Sequence, residues 1–327
     1  MSQQKRASFG GKLSAILVAA GSAIGLGSIW RFPYMAGEHG GAAFMLVYLL
    51  CVFVVGIPVM LGEFAVGRKT KMNAVGGFRS LSRPWRWLGY NGVIGALFIS
   101  GYYYIVAGWS LEYMVSSFTG SLYSSPDSFT DQFSSFQASW RQVFYTFIFI
   151  LLTHLIIIRG VEKGIEKASN IMMPILFVIL LLMAVRVAFM PGAAEGYKFM
   201  FTPRWEALAN PMTWVWAMGQ AFFSLSLGLG CLCTYASYFG NDTNIGKTAL
   251  NVALIDTFVA VMAGLIIFPA CFTYNLEVGA GPGLLFDTMA SVFNNMAGGR
   301  IWGSLFFIFW DIIIVADMRL YMFCFMH

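Results

Sequence analysis

Apolar residues in this chain fall into long runs, not into one-sided helical stripes or strand-like alternation. Such runs cover 41–66, 87–115, 143–158, 171–190 and 252–274, with polar gaps between them. A helix needs roughly 20 apolar residues to cross the hydrocarbon of a bilayer. One run could be a buried helix of a large soluble protein, but so many in series could not. The pattern predicts eight spans, at 12–36, 41–67, 87–117, 142–159, 165–190, 213–239, 246–275 and 301–325. The segments 116–142, rich in Ser, Phe and Asp, and 191–211 lack long apolar runs and read as outer loops. Residues 1–10 are polar and basic and lead straight into the first span, with no cleavable signal.

Composition agrees. Of the 327 residues, 58% are hydrophobic and 11% charged, where a soluble domain carries about 25% charged residues. The net charge of +5 could suggest nucleic acid, but on a membrane protein it reports topology. With the N-terminus inside, 14 of the 20 Lys and Arg residues lie on the inner side; Arg31, Arg141, Arg186, Lys198, Arg204 and Arg300 remain outside. That is the positive-inside pattern and predicts a multi-pass protein of the inner (plasma) membrane with a cytoplasmic N-terminus. The histidines, His39, His154 and His327, are scattered, and Cys231-x-Cys233 is not a CxxC pair. Neither a metal cluster nor a nucleophile–base pair emerges, so an enzyme is not expected.

Two spans carry similar interruptions. The first holds Gly21-Ser-Ala-Ile-Gly-Leu-Gly-Ser28 and the sixth holds Ser224-Leu-Ser-Leu-Gly-Leu-Gly230. Glycine costs about 1 kcal/mol relative to alanine inside a helix, so a Gly-Leu-Gly core marks a place where a helix can open. The freed amides and carbonyls then need partners in a medium without bulk water. A bound ion or zwitterion supplies them, the half-helix N-terminus facing a carboxylate and the carbonyls facing a cation. The alternative is that these glycines only let two helices pack closely. Ionisable residues inside spans are costly and point to function; these are Arg31, Glu63, Asp256, Asp311 and Asp317. For each, a structural ion pair is the competing reading.

Several segments closely resemble the neurotransmitter:sodium symporters (the LeuT-like family), in their bacterial amino-acid transporter form. They are Ala20-Gly-Ser-Ala-Ile-Gly-Leu-Gly-Ser-Ile-Trp-Arg-Phe-Pro-Tyr34, Gly40-Gly-Ala-Ala-Phe-Met, Gly62-Glu-Phe-Ala-Val-Gly-Arg68, Arg159-Gly-Val-Glu-Lys-Gly-Ile-Glu-Lys167 and Gly219-Gln-Ala-Phe-Phe-Ser-Leu-Ser-Leu-Gly-Leu-Gly230. The resemblance implies an all-α membrane protein, a LeuT-like inverted-repeat helical bundle with about eight of twelve transmembrane helices present. It implies sodium-coupled symport of an amino acid by alternating access around spans one and six, with Na+ as the co-transported ion and no organic cofactor. One sodium would take the Ala23 carbonyl, Ser28, Ser224, Asp256 and the substrate carboxylate. A second would take the carbonyls of Gly21 and Ile24 with oxygens of the eighth span. Gly25, Gly27 and Tyr103 would hold the substrate's polar end, and Ile99, Phe223, Ser226 and Leu229 would line its side-chain pocket. Arg31 would serve the outer gate and Arg6 the inner gate. Glycine at position 25, where amine carriers similar to this family have Asp, favours a substrate that brings its own carboxylate. The apolar lining favours a neutral, hydrophobic α-amino acid. The family commonly has Asn at the positions of Ser28 and Asp256, so Asp256 is expected to supply a negative charge that chloride-dependent relatives take from the anion. The implied partners are amino acid, sodium and bilayer, with no nucleic acid; the oligomeric state is not legible.

The chain departs from the family near its end. Spans nine to twelve are not in this sequence, and 305–327 contain no Ser or Thr where the second sodium's hydroxyls should fall. The expected organisation is a cytoplasmic N-terminus at 1–11, a transporter bundle at 12–308 and a divergent part of the eighth span at 309–327, as in a C-terminally truncated member. Two readings follow: a sodium-coupled symporter, or a transport-inactive remnant or assembly partner of the same family.

Overall fold

The computed structural model of the chain describes residues 12–125, 128–240, 243–278 and 281–326. The 1–11 segment, with Arg6, therefore lies outside the described residues. Among those described, six helices are long and apolar enough to cross a membrane: Ala42–Thr70, Arg83–Thr119, Trp140–Ile157, Gly164–Ala188, Ile245–Thr273 and Gly299–Met318. These are the second to fifth, seventh and eighth expected spans. The other two are present but broken. The first comprises Lys12–Ala23 and then Gly27–Arg31 continuing into Phe32–Glu38, with Ile24 and Gly25 out of helical conformation. The sixth comprises Pro211–Ser224 and Cys231–Ala236, separated by a turn.

Local chemistry sets the ends. Asn210 accepts from the Met212 N–H at 2.9 Å, and Pro211 follows at the position where a missing N–H costs nothing. Asn244 caps the seventh span through the Lys247 N–H at 3.0 Å. The third span ends on Gly120, whose φ of +87° is the left-handed close of a helix. The two loop segments differ from expectation, since both fold into short helices: Ser121–Ser124 and Phe129–Gln137 in the first, Ala193–Phe201 in the second. Their apolar residues were too few for a span but enough for a surface helix; Ser128 caps Phe129–Gln137 through the Asp131 N–H at 3.1 Å. Glu112 of the third span pairs with Arg141 at the foot of the fourth, at 2.7 Å.

The broken spans lie inside the bundle. Ile24, Leu26, Ser28, Ile29, Ser224, Leu225 and Cys231 are all buried. The outward faces of the long helices carry Leu50, Val54, Phe98, Phe147, Leu181 and Phe258, all exposed and apolar. A lipid belt explains so large an apolar surface, because no internal partner covers it. The eighth span runs along the third and also touches the first, so its side chains reach the break at Gly25.

Candidate transport site

In the first break, the helix ends at Ala23 after a final bond from the Ile24 N–H to the Ala20 carbonyl, 2.8 Å. The carbonyls of the last turn, at Gly21, Ser22 and Ala23, lie beyond the regular ladder. Five residues past Ala23, Ser28 is fully buried and bonds two neighbours. Its Oγ lies 2.8 Å from Ser224 Oγ and donates to Asp256 Oδ1 at 2.5 Å. Ser224 also donates to Asp256 Oδ2, and the Tyr48 hydroxyl reaches the same oxygen at 3.3 Å. Spans one, two, six and seven thus converge on one carboxylate in the interior. A buried carboxylate with three hydroxyl donors is a group of hard oxygens, suited to a small hard cation. Among the described residues no cluster of three or more His, Cys, Asp or Glu side chains could hold a metal, so softer ions have no matching site there.

The sixth break is tied down from the second span. Ser226, Gly228 and Gly230 have φ of +52°, +80° and +69°. The Gly228 N–H, turned out of any helical ladder, donates to Glu63 Oε1 at 2.7 Å. The two breaks are joined by Gln220, whose Nε2 donates to the Gly27 carbonyl at 2.8 Å and whose Oε1 accepts from Arg31 at 3.3 Å. The Arg31 guanidinium also stacks over the Phe223 ring, 5.3 Å from its centroid, and Phe223 packs edge-on against Tyr103 at 6.5 Å. Beyond Arg31 a cavity of about 360 Å³ opens between Trp30, Tyr34, Glu38, His39 and Trp216.

The geometry brings together Gly25, Gly27, Tyr103, Phe223, Ser28, Ser224, Asp256 and Arg31. Ile99 sits one helical turn before Tyr103 on the third span, partly buried. Leu229 lies against Gly92 and Gly95 of the same span, and Ser226 is buried in the turn of the sixth. On the side where a β-carbon would project, Gly21 lies against the Met173 thioether and the Ala316 methyl. Four participants escaped the sequence reading as site residues: Tyr48, Glu63, Gln220 and Asp317. Glu63 and Asp317 carried a signal, being charges within spans, but Tyr48 and Gln220 are ordinary in composition. The Asp317 carboxylate lies directly against Gly25, with its Cγ 2.9 Å from where a β-carbon there would sit, and it accepts from the Tyr103 hydroxyl.

Comparison with known proteins agrees with this arrangement. The model of the sodium:neurotransmitter symporter family matches residues 6–126 and 128–322, past Phe309 and through most of the eighth span. An uncharacterized sodium-dependent transporter of Haemophilus influenzae is 34% identical over 318 residues, covering 93% of this chain and 69% of its own length. The uncharacterized sodium-dependent transporter YhdH of Bacillus subtilis is 38% identical over 312 residues, covering 94% of this chain and 68% of its own length. Among solved structures, MhsT in complex with L-phenylalanine superposes with a TM-score of 0.89 at 41% identity, over 97% of this chain and 73% of that one. This chain therefore spans roughly two thirds to three quarters of the length of these three proteins. With two broken spans enclosing a buried oxygen cluster, six unbroken apolar helices around them and a family match along nearly the whole sequence, the chain is a multi-pass membrane protein of the sodium:neurotransmitter symporter family.

Proposed function

We propose that the chain binds Na+ at Asp256, Ser28, Ser224 and the Ala23 carbonyl, and carries a neutral, hydrophobic α-amino acid with it by alternating access around the broken spans. The Asp256 cluster is the observation that carries this reading. Three hydroxyls aimed at one buried carboxylate form a preorganised oxygen set, and taking a carboxylate into the bilayer core is costly unless a cation meets it. The side chain of the substrate would lie near Ile99 and Phe223, and its size class follows from MhsT, whose solved complex holds L-phenylalanine. Arg31, over Phe223, closes the outer side, and Arg6 serves the inner gate. The membrane would be the inner (plasma) membrane, with the N-terminus cytoplasmic.

Sodium-gradient-driven uptake of labelled phenylalanine and leucine into vesicles holding the chain tests this. Uptake should require Na+, fall to background in Asp256→Asn, and continue unchanged when gluconate replaces chloride, because Asp256 already carries the negative charge. Dependence on chloride would refute that last point. A second reading has its own support. From 305 to 327 the sequence has no Ser or Thr to supply the second sodium's hydroxyls, which favours a member that binds sodium without accumulating solute. Sodium binding without uptake in the same vesicles is its signature.

A further inference from the structure

We propose that Asp317 gives the sodium at Asp256 the carboxylate that a bound amino acid would otherwise give it, so that this chain holds Na+ with no amino acid present. The inference rests on the sodium reading of the Asp256 cluster.

The position is set by Gly25. With no β-carbon there, the backbone of the first break leaves room for a carboxylate, and Asp317 of the eighth span fills it. The Tyr103 hydroxyl donates to that carboxylate, and Tyr103 is the residue expected to hold the carboxylate of an amino acid. Asp317 is 1% exposed, and its Oδ1 has no hydrogen-bond partner. Asp256 is joined to the same short stretch: the Ser28 N–H donates to the Gly25 carbonyl at 3.2 Å, and the Ser28 hydroxyl donates to Asp256 at 2.5 Å. The nearest positive side chain described at the breaks is Arg31, which is engaged by Gln220 and lies over Phe223. Two carboxylates close together in an apolar interior repel, and each loses its hydration. A cation between them removes both penalties. Its ligands would all be oxygen: Asp317, Asp256, Ser28, Ser224 and the opened backbone at Ala23. That donor set is hard and without sulfur or imidazole, which selects an alkali or alkaline-earth ion over zinc or copper. Sodium is the member that the Asp256 cluster already implies.

The consequence concerns coupling. Where the substrate completes the ion site, ion and substrate bind together and each tightens the other. Where the protein completes it, sodium binds alone, and an amino acid must displace Asp317 before its own carboxylate can reach Gly25 and Tyr103.

The test is binding of radioactive sodium to the full chain in lipid nanodiscs, with choline holding ionic strength constant and potassium as the specificity control. The wild-type chain should bind sodium without amino acid, and saturating L-phenylalanine should change the affinity less than about twofold. Asp317→Asn keeps the shape and removes the charge. It should weaken sodium binding at least tenfold, and L-phenylalanine should then restore it. If the wild-type chain requires L-phenylalanine to bind sodium, or if Asp317→Asn binds as tightly as wild type, the proposal is overturned. Should Asp317→Asn fail to fold, the wild-type comparison with and without L-phenylalanine decides alone. Asp256→Asn separates the two claims. Loss in Asp256→Asn with none in Asp317→Asn sinks this inference and leaves the sodium site standing, whereas binding that survives Asp256→Asn removes the site itself.

Discussion

Glu63 holds the sixth break open, and its removal should be felt as stability. The turn between Ser224 and Cys231 leaves amides without helical partners. Leu225 and Leu227 still bond back to Ala221 and Phe222, at 3.2 and 3.0 Å, but Gly228 turns its N–H to Glu63 Oε1 at 2.7 Å. Glu63 is 8% exposed, so water does not replace it readily. In Glu63→Ala the Gly228 N–H is orphaned, at about 1–3 kcal/mol, and the charged hydrogen bond is lost with it. Relief of the buried charge offsets part of this, so the expected net loss is about 2 kcal/mol. Glu63→Gln keeps an acceptor of the same length and gives up only the charge assistance, about 1 kcal/mol or less. A loss of 1 kcal/mol lowers Tm by about 2–4 °C in domains of 150–250 residues, and a chain of 327 residues should respond near the lower figure. Thermal unfolding of the detergent-solubilised chain, followed by tryptophan fluorescence, should rank wild type above Glu63→Gln above Glu63→Ala, with a total fall of roughly 4–6 °C. Equal stability of Glu63→Ala and wild type would refute the role given to the carboxylate. So would a Glu63→Gln variant as unstable as the alanine, because then charge and not hydrogen-bond geometry would hold the turn.

Other substitutions test neighbouring parts of the argument. Gly228→Ala meets open space but keeps a φ of +80°, so it should cost about 1–2 kcal/mol from backbone strain alone. Gly230→Ala has the same kind of strain, and its β-carbon would also fall 2.5 Å from that of Ala74; it should lower Tm visibly more than Gly228→Ala. The Asp311 carboxylate is buried in the eighth span with no cationic partner among the described residues and at most the Ser110 hydroxyl beside it, so Asp311→Leu should raise stability by about 1–3 kcal/mol, read as a higher Tm. Arg141→Met leaves the buried Glu112 with Ser116 as its remaining partner. Because Arg141 is half exposed, the loss should be about 1 kcal/mol, and it should shrink at high salt.

The sequence shows the breaks of this fold better than its packing. Glycines and serines placed mid-span, at Gly21–Ser28 and Ser224–Gly230, are opposed to helix and appear in the structure as bends and left-handed turns. Six spans were legible because their apolar runs are long enough to dominate single helix-resisting residues such as Pro174 and Pro269, which the helices absorb. Asp256 was legible as a charge in an apolar run, whereas Tyr48 and Gln220 were not, because an aromatic or an amide in a span has no signature until its neighbours are known. The segments 116–142 and 191–211 were read as loops because the apolar-run criterion sees only bilayer-length helices. Short capped helices such as Phe129–Gln137 fall below it.

The eighth span shows where one-dimensional reading stops and what the third dimension adds. It is apolar on every side, so its periodicity does not say which face meets which neighbour. At about 100° per residue, Asp311 and Asp317 project in different directions, and only packing against the first and third spans decides where each goes. Two consequences follow from one orientation. Ala316 packs, beside the Met173 thioether, against the side of Gly21 where a β-carbon would project. The next residue, Asp317, meets Gly25, so the part proposed for it at the Asp256 sodium site turns on this one orientation. Sodium affinity measured with and without amino acid is for this reason a sharper probe of the chain than its overall shape.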